Sequence, residues 1–375
     1  MKILLAALFA VAAVAHADAP PVPPPPTPDA TAWILVDQAS GQMLAGHRAD
    51  ARIEPASITK LMTAYAVFHA LQDGKLTLET AVPISERAWR SEGSRTYLDV
   101  NSRVPVDMLI QGMIVQSGND ATIALAEAIA GTEDTFAALM NQYAERLGMR
   151  DSHFQNSTGL PGSNHQMSVA DIAKLTRAII AEFPDYYRWY SQREFTWNNI
   201  RQPNRNGLLQ RDPTFDGVKT GMTEAAGYCL VSSAKRDDMR LIAVVAGTKS
   251  VRAREDASLA LINYGFNFFE TRTLQAGATE LAQHRIYKAR GGRAAVGLAQ
   301  DLVVTLPRGI AERVEFSIEL APRVFAPLTV SDRVGVLRAM ADGKVLAEAP
   351  LHPLVDVPRG NIFRRIWDTI LSWFA

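Results

Sequence analysis

Glu54-Pro55-Ala56-Ser57-Ile58-Thr59-Lys60-Leu61-Met62-Thr63-Ala64-Tyr65 sets a hydroxyl and an amine three residues apart where a helix begins. Pro55 suits a first helical turn, and Ile58, Leu61, Met62 and Tyr65 recur at helical spacing behind it. Residues three apart share a helix face, so the Lys60 amine reaches the Ser57 hydroxyl, while the positive helix end favours an oxyanion forming on a substrate. An alcohol is a poor nucleophile at neutral pH unless a base takes its proton during attack. A lysine can do so only if burial or a second cation lowers its own pKa.

The spacing alone does not decide the matter, because on the order of one chance match is expected in a chain this long. Ser232 and Lys235 supply such a match, but they fall in Tyr228 to Lys235, whose Val, Leu and Tyr content reads as a strand. Positions three apart on a strand face opposite sides, so helical context separates Ser57 from this decoy. The plain alternative makes Ser57 a helix cap and Lys60 a solvated side chain.

The 375 residues balance 39 basic against 39 acidic side chains, which gives no charge excess to recruit nucleic acid. Met1 to Ala17 reads as a secretory signal: Lys2, an apolar run from Ile3 to Val14, and Ala15-His16-Ala17 as the cleavage site. That run is short for a membrane-spanning helix. Residues 18–29 are a proline-rich, extended spacer that will not pack. Cys229 is the single cysteine, which rules out an internal disulfide, and its apolar neighbours make it a core residue.

Trp33 to Asp37, a turn at Ala39 to Gln42, and Met43 to Arg48 form an antiparallel hairpin ahead of the Ser57 helix. Val104 to Val115 is helical in rhythm and ends in Gln116-Ser117-Gly118-Asn119-Asp120, after which Ala121 to Ile129 starts another helix. Ser117 and Asn119 therefore fall at a helix joint, a place from which polar groups project into clefts. Thr132 to Leu147 and Ser168 to Glu182 are further helices, separated by a structured loop, Asp151 to Met167, that is rich in Ser, Asn, Gly and Pro. Phe195 to Gln210 is polar and turn-rich. Phe215 to Thr223, Tyr228 to Lys235 and Leu241 to Gly247 read as three antiparallel strands, with Lys219-Thr220-Gly221 on the first. A helix over Val251 to Thr273 is long enough to cover one sheet face.

Beyond Gln275 the texture changes to short Val, Ile and Leu alternations broken by Gly and Pro. This predicts a small β-sandwich-like domain over 275–357 without a catalytic constellation. In 359–375, Ile362, Phe363, Ile366, Trp367, Ile370, Leu371 and Phe374 share one helical stripe, with Arg364, Arg365 and Asp368 opposite. The tail is too short and charged to span a bilayer but suits its surface; the competing reading is a final helix packed on the β domain.

Ser57-Ile58-Thr59-Lys60, Ser117-Gly118-Asn119 and Lys219-Thr220-Gly221 stand in order on a helix start, a helix joint and a strand. On these motifs the chain, from about Ala30 to the terminal helix, resembles the D-alanyl-D-alanine carboxypeptidases, low-molecular-mass penicillin-binding proteins of the type numbered five and six. The resemblance implies an α+β catalytic domain over 30–273, an antiparallel sheet flanked by helices. It implies Ser57 as the acylated nucleophile and Lys60 as its base, Ser117 as proton relay, and Asn119 as holder of the substrate amide. It also implies Lys219 as electrostatic support and Thr220, beside Gly221, as a carboxylate binder, with an oxyanion hole made by the backbone N–H groups of Ser57 and Met222. Arg205 matches a family arginine near the carboxylate site, and Asp171 its partner. Physically, Lys219 near Lys60 makes each ammonium costlier.

The expected reaction is removal of the terminal D-alanine from a peptidoglycan stem peptide, without metal or organic cofactor, by an exported enzyme held peripherally at the periplasmic face of the inner membrane. Class A β-lactamases resemble one another in a further loop glutamate that drives deacylation, and Asp151 to Met167 contains no Glu. Penicillins are therefore expected to inhibit this enzyme. A serine β-lactamase and a non-catalytic wall-binding protein are the alternatives, and oligomeric state is not readable.

Overall fold

The computed structural model describes residues 22–371, so the secretory signal and Phe374 of the terminal stripe lie outside the described residues. The described chain divides into two compact units, one of Pro24–Ala278 with Gln300–Thr305, the other containing Thr279–Ala299 and residues 306–371.

The larger unit is built on a five-stranded antiparallel sheet. Its strands are β1 (Ala32–Asp37), β2 (Met43–His47), β3 (Phe215–Thr223), β4 (Gly227–Arg236) and β5 (Met239–Thr248), in the order β2-β1-β5-β4-β3. β5 sits centrally and runs Leu241 to Ala246 without a polar residue, as expected of a strand covered on both faces. Helix α5 (Val251–Phe268) packs on β4 and β5, and α4 (Val169–Glu182) packs on β1 and β5. The Lys219 strand, β3, is the sheet edge.

Helix α1 (Lys60–Gln72) is buried along its whole length save His69 and Gln72, because α2 (Asn119–Ala130), α3 (Glu133–Arg146) and α4 surround it. A helix apolar all round needs such an interior position. Thr132 and Ser168 cap α3 and α4, each accepting the backbone N–H three residues on.

The helical, strand and all-β assignments agree with the α+β expectation, with four local differences. Ser57 lies in a short 3₁₀ turn, Ala56–Thr59, just ahead of α1. The helix expected over Val104 to Val115 is Val106–Gln111 followed by one wide π turn, Gly112–Gln116. The polar segment holds a hairpin, Glu194–Trp197 with Ile200–Pro203, turning at Asn198 and Asn199, both with positive φ, a conformation asparagine tolerates. The final residues expected in α5 leave it as a strand, Phe269–Gln275.

The second unit carries a six-stranded sheet of β6 (Ala282–Tyr287), β7 (Arg293–Leu298), β8 (Glu315–Leu320), β9 (Val324–Phe325), β10 (Gly335–Ala341) and β11 (Lys344–Pro353), ordered β8-β10-β11-β7-β6-β9. Helix α6 (Ile362–Leu371) packs on β6. Its polar face is the packed one: Asp368, expected among the outward polar residues, is 3 % exposed and accepts the Lys288 N–H at 2.6 Å. Phe363, Ile366 and Trp367 point outward, between 57 and 79 % exposed. No helix among the described residues is long and apolar enough to cross a membrane.

Candidate active site

The serine turn, the joint before α2 and strand β3 converge on one cleft of about 730 Å³, lined among others by Ser57, Ser117, Asn119, Arg205, Thr220 and Met222. Ser57 is half-buried within a turn whose other residues, Ala56, Ile58 and Thr59, are buried. Strand β3 lies tightly on this turn: a Cβ on Gly221 would meet Pro55 O at 3.1 Å and Ile58 Cγ1 at 3.1 Å. A glycine at the third position of Lys219-Thr220-Gly221 therefore lets the strand approach the serine.

Lys60 is buried at the head of α1, with its Nζ 3.0 Å from Ser57 Oγ. It donates to Asn119 Oδ1 at 2.7 Å and to the Thr158 carbonyl at 2.7 Å. Burial, then the positive charge of Arg205, lowers its pKa to about 7, against the opposing pull of Asp120 and Glu133. An amine so placed is substantially neutral at physiological pH. Lys219, also buried, donates to Ser117 Oγ at 2.8 Å and Thr220 O at 2.9 Å. Its pKa lies well below the usual lysine value through burial, then the charge of Lys60. The mutual lysine effect expected from sequence is thus secondary to burial, and for Lys60 the second cation is Arg205.

Ser117 has φ 64°, left-handed backbone that a non-glycine residue adopts at some strain, directly after the π turn. That geometry aims its hydroxyl at Lys219 rather than along the helix. Asn119 is oriented at both ends, because its Nδ2 donates to Glu92 O at 2.6 Å. Asp120 is buried and accepts Thr96 N at 2.8 Å and Leu98 N at 3.2 Å, holding the loop that forms the opposite wall.

The structure brings Ser57, Lys60, Ser117, Asn119, Lys219, Thr220, Gly221, Met222 and Arg205 to this one region. Asp171 is elsewhere: it is buried and accepts Asp151 N at 2.8 Å and Lys174 Nζ at 2.8 Å, so it clamps the start of the 151–167 loop and does not partner Arg205. His165 and His153 are loop hydrogen-bonders. His165 sits 2.8 Å from Thr59 Oγ1 and accepts Gln155 N, with burial pushing its pKa down to about 4. The decoy pair is inert, since Ser232 is buried against Ala243 while Lys235 faces solvent.

Arg254 was not legible as a site residue. It lines the cleft from α5, donates Nη1 to Gly221 O and Cys229 O, both at 3.2 Å, and has a buried Nε without a partner. The available signal was its register with the buried positions Ser258, Leu261 and Ile262, which puts a charge on the covered face of the helix. Among the described residues neither Arg205 nor Arg254 is paired with a carboxylate, so two guanidinium groups face the cleft with charge to spare.

Comparison with known proteins agrees with this geometry. A family profile described as D-alanyl-D-alanine carboxypeptidase matches residues 18–250, and a second, described as penicillin-binding protein 5, C-terminal domain, matches residues 269–359. The chain is 39 % identical over 354 residues to D-alanyl-D-alanine carboxypeptidase DacA of Escherichia coli (strain K12), covering 92 % of this chain and 88 % of the relative. It is 40 % identical over 364 residues to DacC of the same organism, covering 92 and 91 %. The crystal structure of penicillin-binding protein 5 from Haemophilus influenzae superposes with a TM-score of 0.87 at 38 % identity, covering 90 % of this chain and 99 % of that one. With a serine and a depressed lysine in the cleft and the two profiles end to end along it, the chain belongs to the serine-type D-alanyl-D-alanine carboxypeptidase family.

Proposed function

We infer that Ser57 is the nucleophile and Lys60 the base of a carboxypeptidase that removes the terminal D-alanine from peptidoglycan stem peptides. The observation that carries this reading is the Lys60 amine, buried, lowered to about 7 and 3.0 Å from the Ser57 hydroxyl. Ser57 Oγ attacks the carbonyl carbon of the penultimate D-alanine while its proton passes to Lys60 Nζ. The oxyanion is received by the backbone N–H groups of Ser57 and Met222. The proton held by Lys60 passes through Ser117, hydrogen-bonded to Lys219, to the departing amine, the C–N bond breaks, and free D-alanine leaves an ester on Ser57. Water then attacks that ester as Lys60 again takes the proton, and Lys60 returns it to Ser57 Oγ as the ester C–O bond breaks.

Arg205, Arg254 and Thr220 supply positive charge and a hydroxyl for the C-terminal carboxylate of the substrate. Asn119 keeps a second amide hydrogen for a substrate carbonyl. Penicillins, which carry a carboxylate and a strained amide, acylate Ser57 and are released slowly. The outward apolar face of α6, flanked by Arg364 and Arg365, holds the exported enzyme on an anionic membrane surface. The test is D-alanine release from a stem pentapeptide by wild type and Ser57→Ala, with intact-mass analysis after penicillin treatment. Wild type releases D-alanine and gains one adduct on the peptide containing Ser57. An adduct that survives Ser57→Ala refutes the assignment.

A further inference from the structure

We propose that Glu133 is a positioning residue for the base. From behind the 151–167 loop its carboxylate fixes Ser157, so that the next carbonyl, that of Thr158, takes one hydrogen of the Lys60 amine and leaves the lone pair facing Ser57. The inference rests on Lys60 being the base. A neutral amine has two hydrogens and one lone pair. Three oxygens surround Lys60 Nζ, and two of them, Asn119 Oδ1 and Thr158 O, are carbonyl oxygens that only accept. Both hydrogens are therefore spoken for, and the lone pair is left for the third oxygen, the Ser57 hydroxyl at 3.0 Å. The direction of that lone pair depends on where the Thr158 carbonyl is held.

It is held through Ser157, which is fully buried with each of its polar groups bonded. Ser157 N and Oγ donate to Glu133 Oε1 at 3.0 and 2.6 Å, and Ser157 O accepts Thr63 Oγ1 from α1 at 2.6 Å. Glu133 itself is buried at the start of α3, and its other oxygen accepts Arg87 Nη2 at 2.6 Å. Glu133 does not line the cleft, so it touches neither substrate nor ester, and its hydrogen bonds from Ser157 and the charge of Arg87 hold its carboxyl below the usual range in spite of burial. It is thus a fixed anion and not a second base for deacylation. In sequence it is an ordinary acidic residue in a capped first turn and belongs to no catalytic motif.

Charge gives the proposal a readout that simple loosening of the loop lacks. Lys60 feels Arg205 as a cation and Asp120 and Glu133 as anions, and it acts in turn on Lys219, while Glu133 faces Arg87 and the neutral His165. Removing the Glu133 charge makes the Lys60 ammonium less favourable, so the acid limb of the acylation profile moves to lower pH. The experiment measures acylation by labelled penicillin against pH for wild type, Glu133→Gln, Glu133→Asp, Lys60→Arg and the Glu133→Gln/Lys60→Arg pair. Glu133→Gln is expected to slow acylation about tenfold to a hundredfold through misplacement of the base, with its acid limb shifted down. Glu133→Asp keeps the charge but draws it back, so the rate falls while the limb stays. In the Lys60→Arg background, Glu133→Gln should add nothing, because the group it positions is gone. Wild-type rates in Glu133→Gln, an unmoved limb, or additive losses in the pair overturn the proposal. Wild-type acylation by Lys60→Arg refutes instead the reading of Lys60 as the base.

Discussion

The protonation of Lys60 sets a pH dependence that can be worked out in advance. If acylation needs the neutral amine and its pKa is about 7, the rate follows the neutral fraction. That fraction is about 10 % at pH 6 and about 90 % at pH 8, so the rate rises about tenfold between them and is nearly flat above. A lysine at the ordinary value of 10.5 would behave differently, gaining about a hundredfold over the same interval and still climbing at pH 9. The sign is fixed: activity is lost as pH falls and the amine takes up its proton. Single-turnover acylation by labelled penicillin, quenched at short times from pH 5.5 to 9, separates the two curves. Lys60→Arg keeps a cation that cannot give up its proton, so the rate should drop by about 10²–10⁴ and the acid limb should disappear. A profile with no plateau by pH 8.5, or a Lys60→Arg enzyme that acylates at wild-type rate, would refute the reasoning. The same depression acts on stability. Between about pH 7 and 10.5 the unfolded chain binds more protons at this site than the folded one, so the contribution of Lys60 to stability grows with pH across that window and is flat below it.

Two further outcomes follow from the structure. Gly159→Ala should cost roughly 2 kcal/mol or more in thermal or denaturant unfolding, since φ is +85° there and the new Cβ would stand 1.8 Å from Ala56 O; a melting temperature equal to wild type would show that the loop yields. Deleting residues 361–375 should abolish co-sedimentation with anionic liposomes while D-alanine release from a small peptide persists, and equal sedimentation of the two proteins would show that the outward face of α6 is not what binds.

How much of this was legible beforehand divides along physical lines. Local periodicity and side-chain chemistry, read without a fold, were enough for the S-x-x-K turn at a helix start, the Ser117 joint, the Lys219 strand, the change of texture near Gln275 and the amphipathic tail, because spacing along one element is a property of that element alone. Distances between elements were not available from spacing. Only the folded chain set Lys60 between Asn119 and Thr158, made burial and Arg205 the causes of its low pKa, and sent Asp171 to clamp a loop rather than pair with Arg205. The π turn that aims Ser117 escaped notice because Gly112 to Gln116 has no composition that distinguishes a wide turn from an ordinary one. Arg254, Glu133 and Asp368 share one reason for being missed. Each is a charged residue on a helix, which sequence alone assigns to solvent, and each is buried because a partner from a distant part of the chain meets it: the Gly221 carbonyl, Ser157 and the Lys288 amide. A buried charge is defined by its partners, and partners brought together across the sequence are a property of tertiary structure.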